Sequence, residues 1–385
     1  MKKSGYILII AAGMALTAGC SSNEISSLAS SKYHTNRGRG DDVAIGVNWS
    51  DESSELFNGV MLAVDKINKS GGLLGKNIRV IRRSDGENLE KAKEIAREFG
   101  RDMDVIAVIG GQTSDITIPA SVIYEKYNLP SISPSATSPE LTRTDFKYIF
   151  RNVLNDYEMI KAGARDILRY LQQNGGPGNK RIIVLHDESR YGKGLAYSFQ
   201  INADKNGFNI IKSFGYSSHQ PDYNKIIKEI RDEEFDALLL AGLLPAAGEF
   251  IVQMRRSGVE ELIISGDGID SSSLIAITGE LADNLLVLTH VNPLEELSGF
   301  RDAYTERYGS PPDMYSALGY DAANLIADLY EKTGSFDSLK FTREFHYLSG
   351  WEGITGIHNF NEKGDVTGKP VRLKYYAKGE YFFID

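Results

Sequence analysis

A five-residue apolar run, Val105–Ile109, stands between Asp104 and the Gly110-Gly111 pair. It constrains the fold more than any other stretch. A run this short and this apolar reads as a parallel strand buried on both faces. The polar loop Gln112–Asp115 follows. Ile116, Ala120, Ile123 and Tyr127 then share one stripe at helical spacing. Proline is tolerated in a first turn, so Pro119 predicts that this helix begins late in the loop. Leu129–Ile132 reads as a second strand and Ser133–Thr137 as a second polar loop. Ser138-Pro139-Glu140 reads as another helix start. Both loops leave the carboxyl ends of parallel strands. If the strands are neighbours, hydroxyls, backbone N–H groups and positive helix ends converge on one point suited to a carboxylate or phosphate. The same Ser and Thr residues are also ordinary helix caps.

The alternation of strand and helix extends both ways. Upstream lie a strand at 42–48, a helix at 55–68, a strand at 77–81 and a helix at 89–99. After a long helix predicted over 156–173, a second series of strands and helices begins at the apolar run Arg181–Leu185 and continues to the strand Leu285–Thr289. Two helices, at 297–308 and 316–332, and two strands, at 358–361 and 371–377, complete the reading. The chain of 385 residues is 42% hydrophobic and 25% charged, which leaves room for two domains. The fold class is therefore α/β, with two doubly wound Rossmann-like lobes and an interlobe ligand cleft. A net charge of −9, with no basic patch interleaved with aromatics, argues against nucleic acid. The lone cysteine, Cys20, excludes an internal disulfide, and the six scattered histidines have no ligand-like spacing, so no metal site is expected.

The N-terminus reads as an address. Lys2 and Lys3 precede an apolar run from Tyr6 to Leu16, too short for a membrane span. Leu16-Thr17-Ala18-Gly19-Cys20 resembles a bacterial lipobox, which implies a signal peptide over 1–19 and lipid attachment at Cys20. Thr17 departs from the usual leucine three residues before the cysteine, and an ordinary signal peptide is the alternative. Ser21–Gly40 is Ser-rich and reads as a flexible tether, so the region 20–40 is expected to link lipid and folded body.

Several stretches together resemble the branched-chain amino-acid-binding proteins of ABC importers. They are Pro119–Glu125, Ser133–Thr142, Asp65–Gly72, His186-Asp187 with Tyr191–Ala196, and Asn361–Asp365. The resemblance covers the chain after residue 41 and implies the type I periplasmic binding protein fold, with lobes that close on ligand. It implies crossings near Arg151–Asn155, Thr289–Asn292 and Gly353–Gly356. The first lobe is then 41–153 plus 291–353, and the second 154–290 plus 354–385. It also implies ligand-binding residues. Ser114 would hold the ligand carboxylate, Thr137 the carboxylate and ammonium, and the Ser135 carbonyl the ammonium. Asp267 would pair with the ammonium, Tyr191 would enter from the second lobe, and Trp49 would pack on the ligand side chain. Leu243 and Leu244 stand where relatives carry tyrosines, which makes that wall more apolar. From the residues alone, Asp267 is also compatible with a helix cap, and Tyr191 and Trp49 with core packing.

The physical demand agrees with this set: a zwitterion needs donors for its carboxylate and an anion for its ammonium. The expectation is an extracytoplasmic, lipid-anchored protein that binds a small molecule, most readily an aliphatic amino acid, and hands it to an ABC permease. No cofactor is expected, and contact with the membrane only through the lipid. A sensory module for another carboxylate or amide is the alternative. An enzyme is not expected, because the chain has no G-x-S-x-G, no Walker-type loop, no G-x-G-x-x-G after a strand and no H-E-x-x-H.

Overall fold

The computed structural model describes residues 35–51, 54–143, 145–220, 222–289 and 298–384. Cys20, the signal peptide, most of the tether and residues 290–292 of the expected second crossing lie outside the described residues.

Strands β1 (Val43–Trp49), β2 (Ile78–Ser84), β3 (Val105–Gly110), β4 (Ser131–Ser133) and β5 (Ile149–Arg151) form a parallel sheet in the order β2-β1-β3-β4-β5. Helices α1 (Glu55–Lys69), α2 (Leu89–Arg101) and α3 (Ser114–Lys126) connect the first four strands. The second lobe repeats the plan. It contains α4 (Asp156–Gly175), β6 (Lys180–His186), α5 (Arg190–Ala203), β7 (Phe208–Gly215), α6 (Asn224–Arg231), β8 (Ala237–Ala241), α7 (Ala246–Arg256), β9 (Leu262–Ser265), α8 (Ser272–Thr278) and β10 (Leu285–Thr289). Its parallel strands lie in the order β10-β9-β8-β6-β7. Side chains alternate along β6: Ile182 and Val184 join one apolar cluster, Ile183 and Leu185 another. Both faces of the sheet are thus covered, as parallel strands require.

The chain then returns to the first lobe through α9 (Ser298–Tyr308), α10 (Met314–Thr333) and α11 (Ser338–His346). Helix α10 lies directly on α1. A Cβ at Gly59 would sit 1.9 Å from the Ser316 carbonyl oxygen, so only glycine permits this approach. In α11, Phe345 stacks on Phe150 with ring centroids 3.7 Å apart. Strands β11 (Trp351–Gly353), β12 (Gly356–Phe360) and β13 (Val366–Thr367) form a small antiparallel sheet. Strands β14 (Arg372–Ala377) and β15 (Glu380–Ile384) then join the β10 edge of the second sheet.

Three expectations need correction. Helix α3 begins at Ser114, so Pro119 lies inside it rather than in its first turn. The Thr113 carbonyl accepts from the Ile116 and Thr117 N–H groups and starts the helix early. Proline then deprives only the Asp115 carbonyl of a donor. The third passage between lobes comes later than Gly353–Gly356. Asp365 pairs with Arg151 at 2.7 Å, and the Gly364 carbonyl accepts from the Arg151 N–H, so this segment stays on the first lobe. The crossings themselves are stitched by a buried lysine. Lys369 Nζ donates to the Asn152 carbonyl at 3.0 Å and to Thr355 Oγ1 at 2.9 Å, and burial lowers its pKa to about 7.

The third correction concerns the tether. Residues 35–40 are built into the first lobe. Asn36 bridges to Asp337, and the Ser338 N–H donates to the Thr35 carbonyl at 2.6 Å. Arg37 is 1% exposed. Its Nη1 donates to the Asp102 and Val105 carbonyls, both at 3.0 Å, and its Nη2 to the Gly100 and Tyr127 carbonyls at 3.2 and 2.9 Å. One planar guanidinium thus satisfies the ends of α2 and α3 and the start of β3. Removing it leaves buried acceptors unpaired. Arg37→Met is expected to cost about 3 kcal/mol, read as a lowered urea midpoint, and deletion of residues 1–40 is expected to destabilise the folded body similarly.

Candidate functional site

Strands β3 and β4 are neighbours, with Ile109 opposite Ile132, so the two polar loops meet. Ser135 Oγ donates to the Gln112 carbonyl at 2.6 Å, and Ser114 Oγ accepts from the Ser138 N–H at 3.3 Å. Ser114 is the first residue of α3, and no side-chain cap closes that helix end. Its positive pole is left to whatever occupies the space in front of it. The second loop is held from behind by Arg151, which is fully buried. Its Nη1 donates to the Ala136 and Ser138 carbonyls at 2.8 and 3.0 Å, and Asp365 neutralises it.

A cavity of about 260 Å³ lies between the lobes. Ser114, Ser135, Thr137, Tyr191 and Asp267 all line it, as do Leu243 and Leu244. Trp49 does not. It is 2% exposed and packs edge-on against Tyr315, with centroids 5.2 Å apart, and it is Tyr315 that reaches the cavity. The aromatic wall expected from Trp49 is thus Tyr315, with Trp49 supporting it. Tyr315 opens α10, far along the chain, and nothing in its neighbourhood of the sequence marks it.

From the second lobe, the Tyr191 hydroxyl accepts from the Gly268 N–H at 2.9 Å and donates to Asp267 at 3.2 Å. Burial, reinforced by Asp267 and Asp156, holds the Tyr191 phenol well above its usual range, so it remains a donor. Asp187 organises the opposite wall: its Oδ2 accepts from the Leu243 N–H at 3.1 Å. Asp267 touches the cavity but lies deep among protein atoms. That desolvation pushes its carboxyl up to about 7, with a smaller upward push from Asp270 and a downward one from Tyr191.

Two polar groups are conspicuously unanswered. Thr137 Oγ1 is buried, lines the cavity and has no aligned partner among the described residues. Asp156, the first residue of α4, is fully buried with neither carboxylate oxygen well bonded. Burial, then the nearby Asp267, hold Asp156 well above the usual carboxylate range, while Thr137 and Arg151 pull it down. Asp156 was not anticipated. The only signal was an acidic first turn on the helix that follows the second loop.

The lobes also clasp at the rim. The Arg190 N–H donates to Asp115 Oδ2 at 3.0 Å, and its guanidinium pairs with Glu140. Arg190 belongs to α5, while Asp115 and Glu140 belong to α3 and the 3-10 turn Pro139–Thr142.

A profile of the periplasmic binding protein family matches residues 50–379. The chain belongs to this family. Among its relatives, the leucine-specific-binding protein of Salmonella typhimurium is 28% identical over 314 residues, 81% of this chain and 83% of that protein. An ABC transporter substrate-binding protein from Desulfitobacterium hafniense, solved in complex with Leu, superposes with a TM-score of 0.77 at 31% identity, over 89% of this chain and all of the other. A leucine-binding protein from Thermotoga maritima gives a TM-score of 0.77 at 27% identity, over 89% of this chain and 98% of the other. The type I fold and the likeness to Leu/Ile/Val-binding proteins follow from these matches. These relatives are binding proteins, and the family is extracytoplasmic. No helix among the described residues is long and apolar enough to cross a membrane.

The raised Asp267 pKa fixes the direction of a pH effect. An ammonium binds the ionised carboxylate, so affinity for an amine ligand is expected to weaken as pH falls through about 7. In the unliganded protein the folded state holds this proton more tightly than the unfolded chain does. The group's contribution to stability is therefore present at low pH and lost as pH rises towards 7. Thermal unfolding with and without ligand between pH 5 and 8 checks both signs. Asp267→Asn is expected to stabilise the unliganded protein at pH 8 while removing the response to ligand.

Proposed function

We propose that the chain is a solute-binding lipoprotein that captures an α-amino acid with an aliphatic body and delivers it to an ABC permease. The observation that carries this reading is one cavity with donors on one lobe and an anion on the other. Ser114 and Thr137, at helix and loop ends of the first lobe, suit a carboxylate, and Asp267 of the second lobe suits an ammonium. The Ser135 carbonyl is a second acceptor for the ammonium, and the Tyr191 hydroxyl orients Asp267. Leu243, Leu244 and Tyr315 supply apolar wall for the side chain. Leucine and isoleucine complexes of structural relatives at 31% and 25% identity support the same ligand class.

On this reading no covalent chemistry occurs. Binding energy closes the lobes, Arg190 meets Asp115 and Glu140, and the permease receives the closed form. The first lobe comprises 35–153 with the return segment from 291. The second comprises 154–290 with the terminal strands β14 and β15. Cys20 carries the lipid.

The test is thermal unfolding of the full-length protein, stripped of bound ligand by unfolding and refolding, against a panel of amino acids and amine-free carboxylates. An amino acid at about 100 times its Kd is expected to add about 2.7 kcal/mol, and Asp267→Ala to erase that gain. Stabilisation only by carboxylates without an amine would remove the amino-acid assignment. Lipidation is checked separately: labelled palmitate is expected to enter the wild type and not Cys20→Ala.

A further inference from the structure

We infer that the amino acid taken by this cavity carries a positive charge at the end of its side chain, received by Glu87; this rests on the amino-acid reading of the same site. Thr137 Oγ1, buried on the cavity wall beside Asp156, marks the end where the backbone of the ligand is held. The remaining wall is not uniformly apolar. Leu243, Leu244 and Tyr315 flank it, but Glu87, Ser271 and Ser273 also line it, and no lysine or arginine does.

The charges do not balance for a neutral side chain. Asp267 is answered by the ligand ammonium. Asp270, also on the wall, is answered by Lys374, whose Nζ lies 2.7 Å away. Arg151 is held by Asp365, and Arg190 is shared between Asp115 and Glu140. Asp156 lies behind the cavity rather than on its wall, within the field of Arg151. Glu87 has no ion pair among the described residues and is solvent-exposed at the cavity edge. Glu87 is therefore the carboxylate on the cavity wall that neither a zwitterion nor, among the described residues, a protein cation answers. Closing an aliphatic side chain against Glu87 and two hydroxyls would desolvate them with nothing in return. A basic side chain instead lays its methylenes along Leu243, Leu244 and Tyr315 and carries its head to Glu87, with the Ser271 and Ser273 hydroxyls as acceptors. An acidic side chain is repelled by Glu87.

Isothermal titration of the full-length protein with matched pairs tests this. L-lysine is compared with L-norleucine, and L-ornithine with L-norvaline; each pair differs only by the terminal ammonium. The charged member is expected to bind at least tenfold tighter, and Glu87→Gln to shrink that ratio at least threefold. Neutral members binding as tightly as charged ones would overturn the inference while leaving the amino-acid reading intact. A charge preference that Glu87→Gln leaves untouched would overturn the role of Glu87. Failure of every L-amino acid to bind would overturn both readings.

Discussion

A carboxylate enclosed by protein must be answered by a cation or keep its proton, and the interior of this molecule is arranged around that demand. Asp267 sits at the meeting of the lobes and accepts from the Tyr191 hydroxyl. Asp156, Arg151 and Asp365 form the layer behind it. Without ligand, burial holds the Asp156 and Asp267 carboxyls above their usual range. On the amino-acid reading, a ligand ammonium would give Asp267 a counter-ion shielded from water. The lobes thus meet over a deficit that a ligand completes, which is how binding energy can be coupled to closure.

The fold serves this arrangement by repetition. Each lobe ends its parallel strands at the cleft, so loops from two sheets face one another across 260 Å³. The first lobe contributes the α3 N-terminus with Ser114 and Thr137, and the second contributes Asp267. On the amino-acid reading a zwitterion would touch both bodies, and neither lobe alone would offer a complete site. The buried Lys369 and Asn152 at the crossings tie the two bodies into a defined pair.

Much of this was legible in the chain, for reasons that differ by element. Strands β3 and β6 are buried on both faces and appear as apolar runs, so their positions were apparent within a residue or two. The loops at Gln112–Asp115 and Ser133–Thr137 followed from where the apolar runs end. Helix α11 was hidden because it buries few apolar residues over nine positions, chiefly Phe341 and Phe345. Strand β15 depends on a turn at Lys378-Gly379, where both residues have positive φ. Tyr315 and Trp49 exchanged roles because which ring faces the cavity is decided by α10 lying on α1, a contact between distant parts of the chain. Arg37 was invisible for the opposite reason. A lone arginine in a Ser-rich stretch looks solvated until four carbonyls from three elements close around it.

That arginine has a mechanical meaning. Fourteen residues lie between Cys20 and Thr35, a span of at most about 50 Å when fully extended. If the lipid is at Cys20, thermal tugging between membrane and body enters the structure at Thr35–Arg37. The force is spread there across the bridge to Asp337 and the carbonyls of the first lobe. It does not run through the cleft or the crossings. The first lobe is then the moored part and the second the swinging one, so a pull on the leash leaves the grip on cargo undisturbed.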